Sequence, residues 1–239
     1  MNDYKHDIES QEVDIDEQGL NLGKATSDRE VKRLFLLARH SKEGAIVEIG
    51  SWRGRSTAYL AKAAEAAGIG NKVYGIDPHF EGSEQIFRDN MEKAGLNHIV
   101  VPIVMRSEDA IKQWSDPISL LFIDGGHDYE SVWRDFTLYE PWVVDGGVIA
   151  FHDRFAEGPC RVIRDYILKT GSFGNIVAVD GILFAIKGAR DTWRGKLAKM
   201  WLLLLSYVAI ALAICTRSRR FYRLQRFLGS VGRWLSERV

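Results

Sequence analysis

A chain of 239 residues, 46% hydrophobic and 27% charged with two cysteines, has ordinary globular composition. That excludes a disordered polymer and a mini-domain built on disulfides. Formal net charge is zero, yet residues 187–239 hold 12 Lys/Arg against Asp191 and Glu237, so residues 1–186 carry the balancing negative excess. A basic end of that size is expected to meet something anionic. The two cysteines, Cys160 and Cys215, fit a reducing, cytoplasmic compartment, and no secretory signal is expected at the acidic N-terminus.

Residues 1–19 hold seven acidic residues and a single Lys5, without sustained periodicity, so 1–24 reads as an acidic flexible leader. Asp28 is placed to cap a helix running to about His40, with Val31, Leu34, Leu36, Leu37 and Ala38 on its apolar face. A short apolar run from Ala45 to Ile49 follows, then an alanine-rich helix from Ser56 to Ala67. Strand-like runs recur at Lys72–Asp77, Ile99–Val104, Ser119–Asp124 and Gly147–Phe151. Helical stretches separate them at 83–95, 107–114, 129–138 and 160–168, and Asn175–Val179 and Gly181–Ile186 flank Asp180 as a hairpin. Short apolar strands alternating with helices predict an α/β domain over 25–187: a doubly wound, mostly parallel sheet with an antiparallel edge hairpin.

Strand one runs into Glu48-Ile49-Gly50-Ser51-Trp52-Arg53-Gly54-Arg55-Ser56. Glycines there let backbone approach a ligand, and the following helix start presents free N–H groups. A dinucleotide fingerprint needs glycine at position 52, where this chain has Trp52, so a pyrophosphate cradle is disfavoured. The Glu-x-Gly-x-x-x-Gly turn suits a ligand with an amino acid moiety. Asp77 ends strand two, where a carboxylate can accept from both hydroxyls of a ribose. Ser107 and Glu108 follow strand three, placed to meet an adenine ring.

The segments IVEIGSWRGRST, VYGIDPH, LLFIDGGHDYESVWRDF and PWVVDGGVIAFHD, in this order, resemble class I S-adenosylmethionine-dependent methyltransferases, which have a Rossmann-like fold. The resemblance is to the small-molecule O-methyltransferase branch that includes macrolide-sugar methyltransferases and cephalosporin-hydroxylase-like proteins. It covers about residues 25–187. It implies S-adenosylmethionine as cofactor, with Glu48, Gly50, Ser51, Gly54 and Ser56 around the methionine portion, Asp77 on the ribose and Ser107 at the adenine edge.

The chemistry is expected at the ends of strands four and five. Asp124 closes one and His152-Asp153 the other, and adjacent parallel strands place them side by side. Methyl transfer to a hydroxyl needs in-line placement and a deprotonated acceptor, for which a histidine is a suitable base. In the metal-dependent relatives the base lies three positions after the first ligand, which here gives His127. The resemblance puts Asp124, His152 and Asp153 at metal-ligand positions. Histidine departs from the family's usual carboxylate or amide there, so the site either takes a metal softer than Mg²⁺ or holds none, with His152 positioning substrate. Asp124 is expected both in catalysis and against the cofactor. His79 and Asp128 are second-tier candidates.

Residues 188–239 read as a helical, membrane-associating appendage. Met200–Cys215 is sixteen residues with Ser206 as its one strongly polar side chain. As helix it spans about 24 Å, short of the roughly 30 Å hydrocarbon core. Phe221, Leu224, Phe227, Leu228, Val231, Trp234 and Leu235 recur at helical spacing among arginines, as in a basic amphipathic surface helix. An in-plane anchor on the cytoplasmic face of an anionic membrane is favoured over a span, because a span would put the arginines outside. A homodimer interface is the alternative; the adjoining apolar run argues against nucleic acid. The function expected is O-methylation of a small molecule, sugar or lipid-linked glycan. Two other readings are a hydroxylase-like relative of the same fold and a non-catalytic nucleotide-binding module.

Overall fold

The computed structural model describes residues 15, 17, 19–80 and 82–215, without the side chains of residues 194 and 209–215. The first helix, α1, is Asp28–Arg39, and its cap is Ser27 rather than Asp28. Ser27 Oγ accepts from the Glu30 N–H, while the Glu30 carboxylate accepts the Ser27 N–H at 2.7 Å. This reciprocal capping box satisfies two orphan donors, which Asp28 in the first turn does not do.

The remaining elements are β1 (Ala45–Ile49), α2 (Arg55–Ala67), β2 (Val73–Ile76), α3 (Glu84–Lys93), β3 (Val100–Ile103), α4 (Ser107–Ala110), β4 (Ile118–Ile123), α5 (Tyr129–Tyr139), β5 (Val143–Phe151), α6 (Glu157–Val162), β6 (Phe173–Val179), β7 (Ile182–Lys187) and α7 (Trp193–Cys215). α6 continues as a π-helical turn over Ile163–Leu168. The seven strands form one sheet in the order β3-β2-β1-β4-β5-β7-β6. β1 to β5 are parallel neighbours, and β7 runs antiparallel to both β5 and β6, so the terminal hairpin closes one edge as expected.

The central strands are buried on both faces, which is why β1 and β4 read as continuous apolar runs. Their side chains still alternate. Ile46, Leu120 and Phe122 face one layer with Val31, Leu34, Leu60, Phe87 and Met91. Val47, Leu121 and Ile123 face the other with Val132, Phe136, Tyr139, Ile163 and Ile167. Register then sets the site. Ile76, Ile49, Ile123 and Phe151 lie abreast across β2, β1, β4 and β5. The residues that follow them, Asp77, Gly50, Asp124 and His152, therefore stand in one row at the carboxyl edge of the sheet.

Two regions differ from the sequence reading. Part of the segment assigned to the leader is packed: Ile15 and Leu22 are buried, and Glu17 pairs with the Arg55 guanidinium at 2.9 Å. Isolated anchors give no periodicity, so this packing leaves no pattern to read; residues 1–14 lie outside the described residues. At the other end, the apolar run is not a free appendage. α7 packs Leu202 and Leu203 on the core, and Lys199 Nζ donates to the carbonyls of Thr170 and Phe173 at 2.9 and 3.0 Å. Its other face leaves Trp193, Leu197, Met200, Trp201, Leu204 and Val208 exposed. Among the described residues no helix is long and apolar enough to cross a membrane, and the predicted basic helix after residue 215 lies outside them.

Candidate active site

The turn after β1 is held by steric necessity. Gly50 has φ +94°, and a Cβ there would stand 2.2 Å from the Asp124 carbonyl oxygen. Gly54, φ +86°, opens α2 where a Cβ would stand 2.6 Å from Met91 Cε. Both positions have a left-handed backbone that strains any other residue, and at Gly50 the rigid backbone also leaves no room for a side chain. Trp52 (φ 41°) and His79 (φ 50°) hold the same conformation without being glycine. What retains them is Asp77: its Oδ2 accepts the Trp52 N–H at 2.8 Å and its Oδ1 accepts the His79 N–H at 2.7 Å. The carboxylate thus ties two strand-end turns together, and each oxygen keeps a further lone pair for a ligand.

Four residues expected around the cofactor are all buried and divide by whether their polar atoms are already engaged. Ser51 is buried and its Oγ has no hydrogen-bond partner, an orphan beside the glycine turn. Glu48 is fully buried, and its two oxygens accept the hydroxyls of Ser56 and Thr57. Glu48 and Ser56 therefore work from behind the turn, fastening α2 to β1. Burial pushes the Glu48 carboxyl up to about 8, the nearby Asp124 and Asp77 charges add to that, and the two hydroxyls offset part of it. Ser107 is likewise engaged: its hydroxyl donates to Asp135, and its carbonyl accepts from Tyr139 Oη at 2.9 Å. Asp135, buried on the inner face of α5, is raised to about 6 by burial against the Ser107 hydrogen bond. Sequence reasoning passed over Asp135; the available signal was a carboxylate inside the apolar stripe Val132-Phe136-Tyr139.

At the ends of β4 and β5 the structure brings all four expected chemical residues together. His152, buried, has Nδ1 2.9 Å from Asp124 Oδ1 and 3.5 Å from Asp153 Oδ2. Nδ1 is in ion-pair contact with both carboxylates, but its geometry makes no hydrogen bond with either. His127, half-exposed, places Nε2 3.0 Å from Asp153 Oδ2. Asp153 holds φ 45°, strained for a non-glycine residue. Asp124, His152 and Asp153 each offer a ligand atom, and these atoms lie within 4.8 Å of one another. Two hard oxygens and one imidazole at that spacing fit a divalent cation.

The charges shape one another. The contact with His127, then the one with His152, hold the Asp153 carboxyl far below its usual range. The same contact with Asp153 raises His127. Burial lifts Asp124 despite His152. Burial alone would lower His152, but Asp124, Asp153 and Glu30 outweigh it and push it up to about 12. Glu30 of α1 was not foreseen as a site residue. Of the second-tier candidates, Asp128 caps α5 by accepting the Ser131 N–H at 3.0 Å. His79 is buried, with Nδ1 2.8 Å from Ser83 Oγ, and burial lowers its pKa.

Comparison with known proteins bears on the fold that carries these residues. Residues 47–154 match a family model described as a methyltransferase domain. An uncharacterized protein, R132, of Acanthamoeba polyphaga mimivirus is 33% identical over 114 residues, 45% of this chain. The chain spans about half the length of that curated relative, 50%. Among solved structures, the O-methyltransferase TomG from Streptomyces achromogenes, involved in tomaymycin synthesis and complexed with S-adenosylmethionine, is similar with TM-score 0.56 and 19% identity. That match covers 69% of this chain and 82% of TomG. An O-methyltransferase from Bacillus cereus in complex with S-adenosylhomocysteine matches at TM-score 0.57 and 22% identity, over 70% of this chain and 85% of that one. The strand order and the matched segment make residues 47–154 similar to a methyltransferase domain, and the solved neighbours share its fold.

Proposed function

We propose that this protein moves the methyl group of S-adenosylmethionine to a hydroxyl of a small molecule, a sugar or a lipid-linked glycan presented at an anionic membrane surface. The observation that carries the reading is the row of strand ends, with an Asp77-braced glycine turn on one side and the Asp124–His152–Asp153–His127 cluster on the other. In this reading Asp77 receives the ribose hydroxyls, Gly50, Ser51 and Gly54 border the methionine portion, and Ser107 marks the adenine edge. Glu48 and Ser56 keep the turn in place.

Asp153 accepts from His127 Nε2 and so leaves Nδ1 as the nitrogen that takes the acceptor's proton. Asp124, His152 and Asp153 are the residues to hold a divalent cation, which would lower the acceptor hydroxyl's pKa and fix its oxygen. One imidazole with two carboxylates favours Mn²⁺-like ions over Mg²⁺.

The membrane part of the reading rests on α7. Trp193, Leu197, Met200, Trp201, Leu204 and Val208 form one outward stripe, with the arginine-rich sequence following it. Aromatic residues beside basic charge suit an in-plane anchor on anionic lipid. Formation of S-adenosylhomocysteine by the full chain, supplied with Mn²⁺ and glycolipid acceptors in phosphatidylglycerol vesicles, tests the function. Turnover lost in Asp124→Asn while S-adenosylmethionine still binds is the expected result. Equal turnover in Asp124→Asn would refute the assignment of the chemistry to this cluster.

A further inference from the structure

Glu30 serves two ends of the molecule at once. As the third residue of α1 it completes the capping box through Oε2, which accepts the Ser27 N–H at 2.7 Å. A capping-box glutamate needs no burial for that role, yet Glu30 is only 4% exposed. Its Oε1 accepts the Gly181 N–H at 2.6 Å, in the turn between β6 and β7. A Cβ at Gly181 would stand 2.8 Å from that same oxygen, so the turn is glycine where the carboxylate enters. The carboxylate then lies with Oε2 3.6 Å from His152 Nε2, on the side of the ring opposite the acidic pair. Phe122 meets the same ring edge-on, with centroids 6.3 Å apart and planes at 86°.

We propose that Glu30 is a positioning residue for the cation site: facing Nε2 at ion-pair distance, it favours a proton on that nitrogen and aims Nδ1, whose own proton a cation would replace, toward Asp124 and Asp153. The inference rests on the cation reading of the Asp124–His152–Asp153 cluster and adds to it a carboxylate supplied by α1. A histidine ligand is oriented by the group that receives its other N–H, and loss of such a partner typically weakens metal binding 10–100-fold. The buried Nδ1, in reach of two carboxylates but hydrogen-bonded to neither, is the atom this arrangement presents. The turn at Gly181 is part of the device, since its N–H holds Glu30 Oε1 while the Gly181 carbonyl accepts the Arg154 N–H next to Asp153.

The test is Mn²⁺ affinity of the full chain by electron paramagnetic resonance, comparing wild type with Asp124→Asn, Glu30→Gln, Gly181→Ala and Ser27→Ala. Glu30→Gln and Gly181→Ala are expected to bind Mn²⁺ about 10–100-fold more weakly. Ser27→Ala removes a cap hydroxyl without touching His152; it should lower Tm yet bind Mn²⁺ as wild type does. In the Co²⁺-loaded protein, the His152 Nε2 proton should give a shifted, slowly exchanging NMR signal that Glu30→Gln loses. If Glu30→Gln does not fold, Gly181→Ala displaces the same carboxylate and carries the test. Wild-type affinity in a folded Glu30→Gln or Gly181→Ala variant, beside weakened binding in Asp124→Asn, overturns the role of Glu30 alone. Absence of Mn²⁺ binding in wild type, or binding unchanged in Asp124→Asn, overturns the cation reading and this inference with it.

Discussion

The two halves of the sheet edge are built by different means. On the β1–β2 side, backbone does most of the work: glycines at 50 and 54, left-handed turns at Trp52 and His79, and one carboxylate, Asp77, bridging two N–H groups. On the β4–β5 side, side chains do it: two histidines and two aspartates crowded together and braced by Glu30 from α1. A half made of backbone geometry is fixed sterically, and its pH dependence is left to the buried carboxyl of Glu48 beneath it. A half made of charges is held by pairing, and it changes when one partner is removed.

The largest expected effect is at the seam between the halves. Gly50→Ala sets a Cβ against the Asp124 carbonyl at 2.2 Å and forces alanine into φ +94°. Overpacking and the left-handed conformation together should cost roughly 3 kcal/mol or more, read as a fall in the urea midpoint and loss of S-adenosylmethionine binding. Retained stability in Gly50→Ala would show that the seam is softer than its geometry implies. Next is His127→Gln, confined to the charged half. It should lower the methyl-transfer rate about 10²–10⁴-fold, the range for a general base, with S-adenosylmethionine affinity unchanged in calorimetry. A change in affinity without a change in rate would erase the division between the halves.

The smallest effect concerns the buried support of the backbone half. Glu48 is raised to about 8 in the fold, while an unfolded glutamate titrates near its ordinary value of 4.5. Between those values the folded protein binds more protons than the unfolded chain, so this group makes stability fall as pH rises from about 4.5 to 8. Glu48→Gln cannot ionise, and its Tm should decline less than that of wild type from pH 5 to 8. Parallel Tm profiles for the two proteins would contradict a neutral Glu48 in the folded state.

The same division explains what the sequence reveals. Strand positions, edge hairpin and glycine turn are legible because each rests on local pattern: apolar runs of four to six residues, glycines at fixed spacing, acids at strand ends. Asp124, His127, His152 and Asp153 are legible as neighbours because parallel register places successive strand ends together. Glu30 is not. The sequence reading put the cap at Asp28 and not at Ser27, and nothing local states that the Glu30 carboxylate also faces a histidine 122 positions on. Asp135 and the engagement of Ser107 depend on α5 packing over the end of β3, which is likewise a tertiary fact. The C-terminal apolar run shows the opposite error: uniform hydrophobicity hides that α7 turns Leu202 and Leu203 inward and Trp201 and Leu204 outward.

The most direct test of the account is calorimetric titration of S-adenosylmethionine into the full-length protein and its Asp77→Ala variant. The wild type should bind saturably. Removing a charged acceptor of ligand hydroxyls should weaken binding by about 1.5–3 kcal/mol, roughly 10–100-fold. Folded wild-type protein that binds no S-adenosylmethionine, or an Asp77→Ala variant that binds it equally well, would contradict the assignment of this sheet edge to methyl transfer.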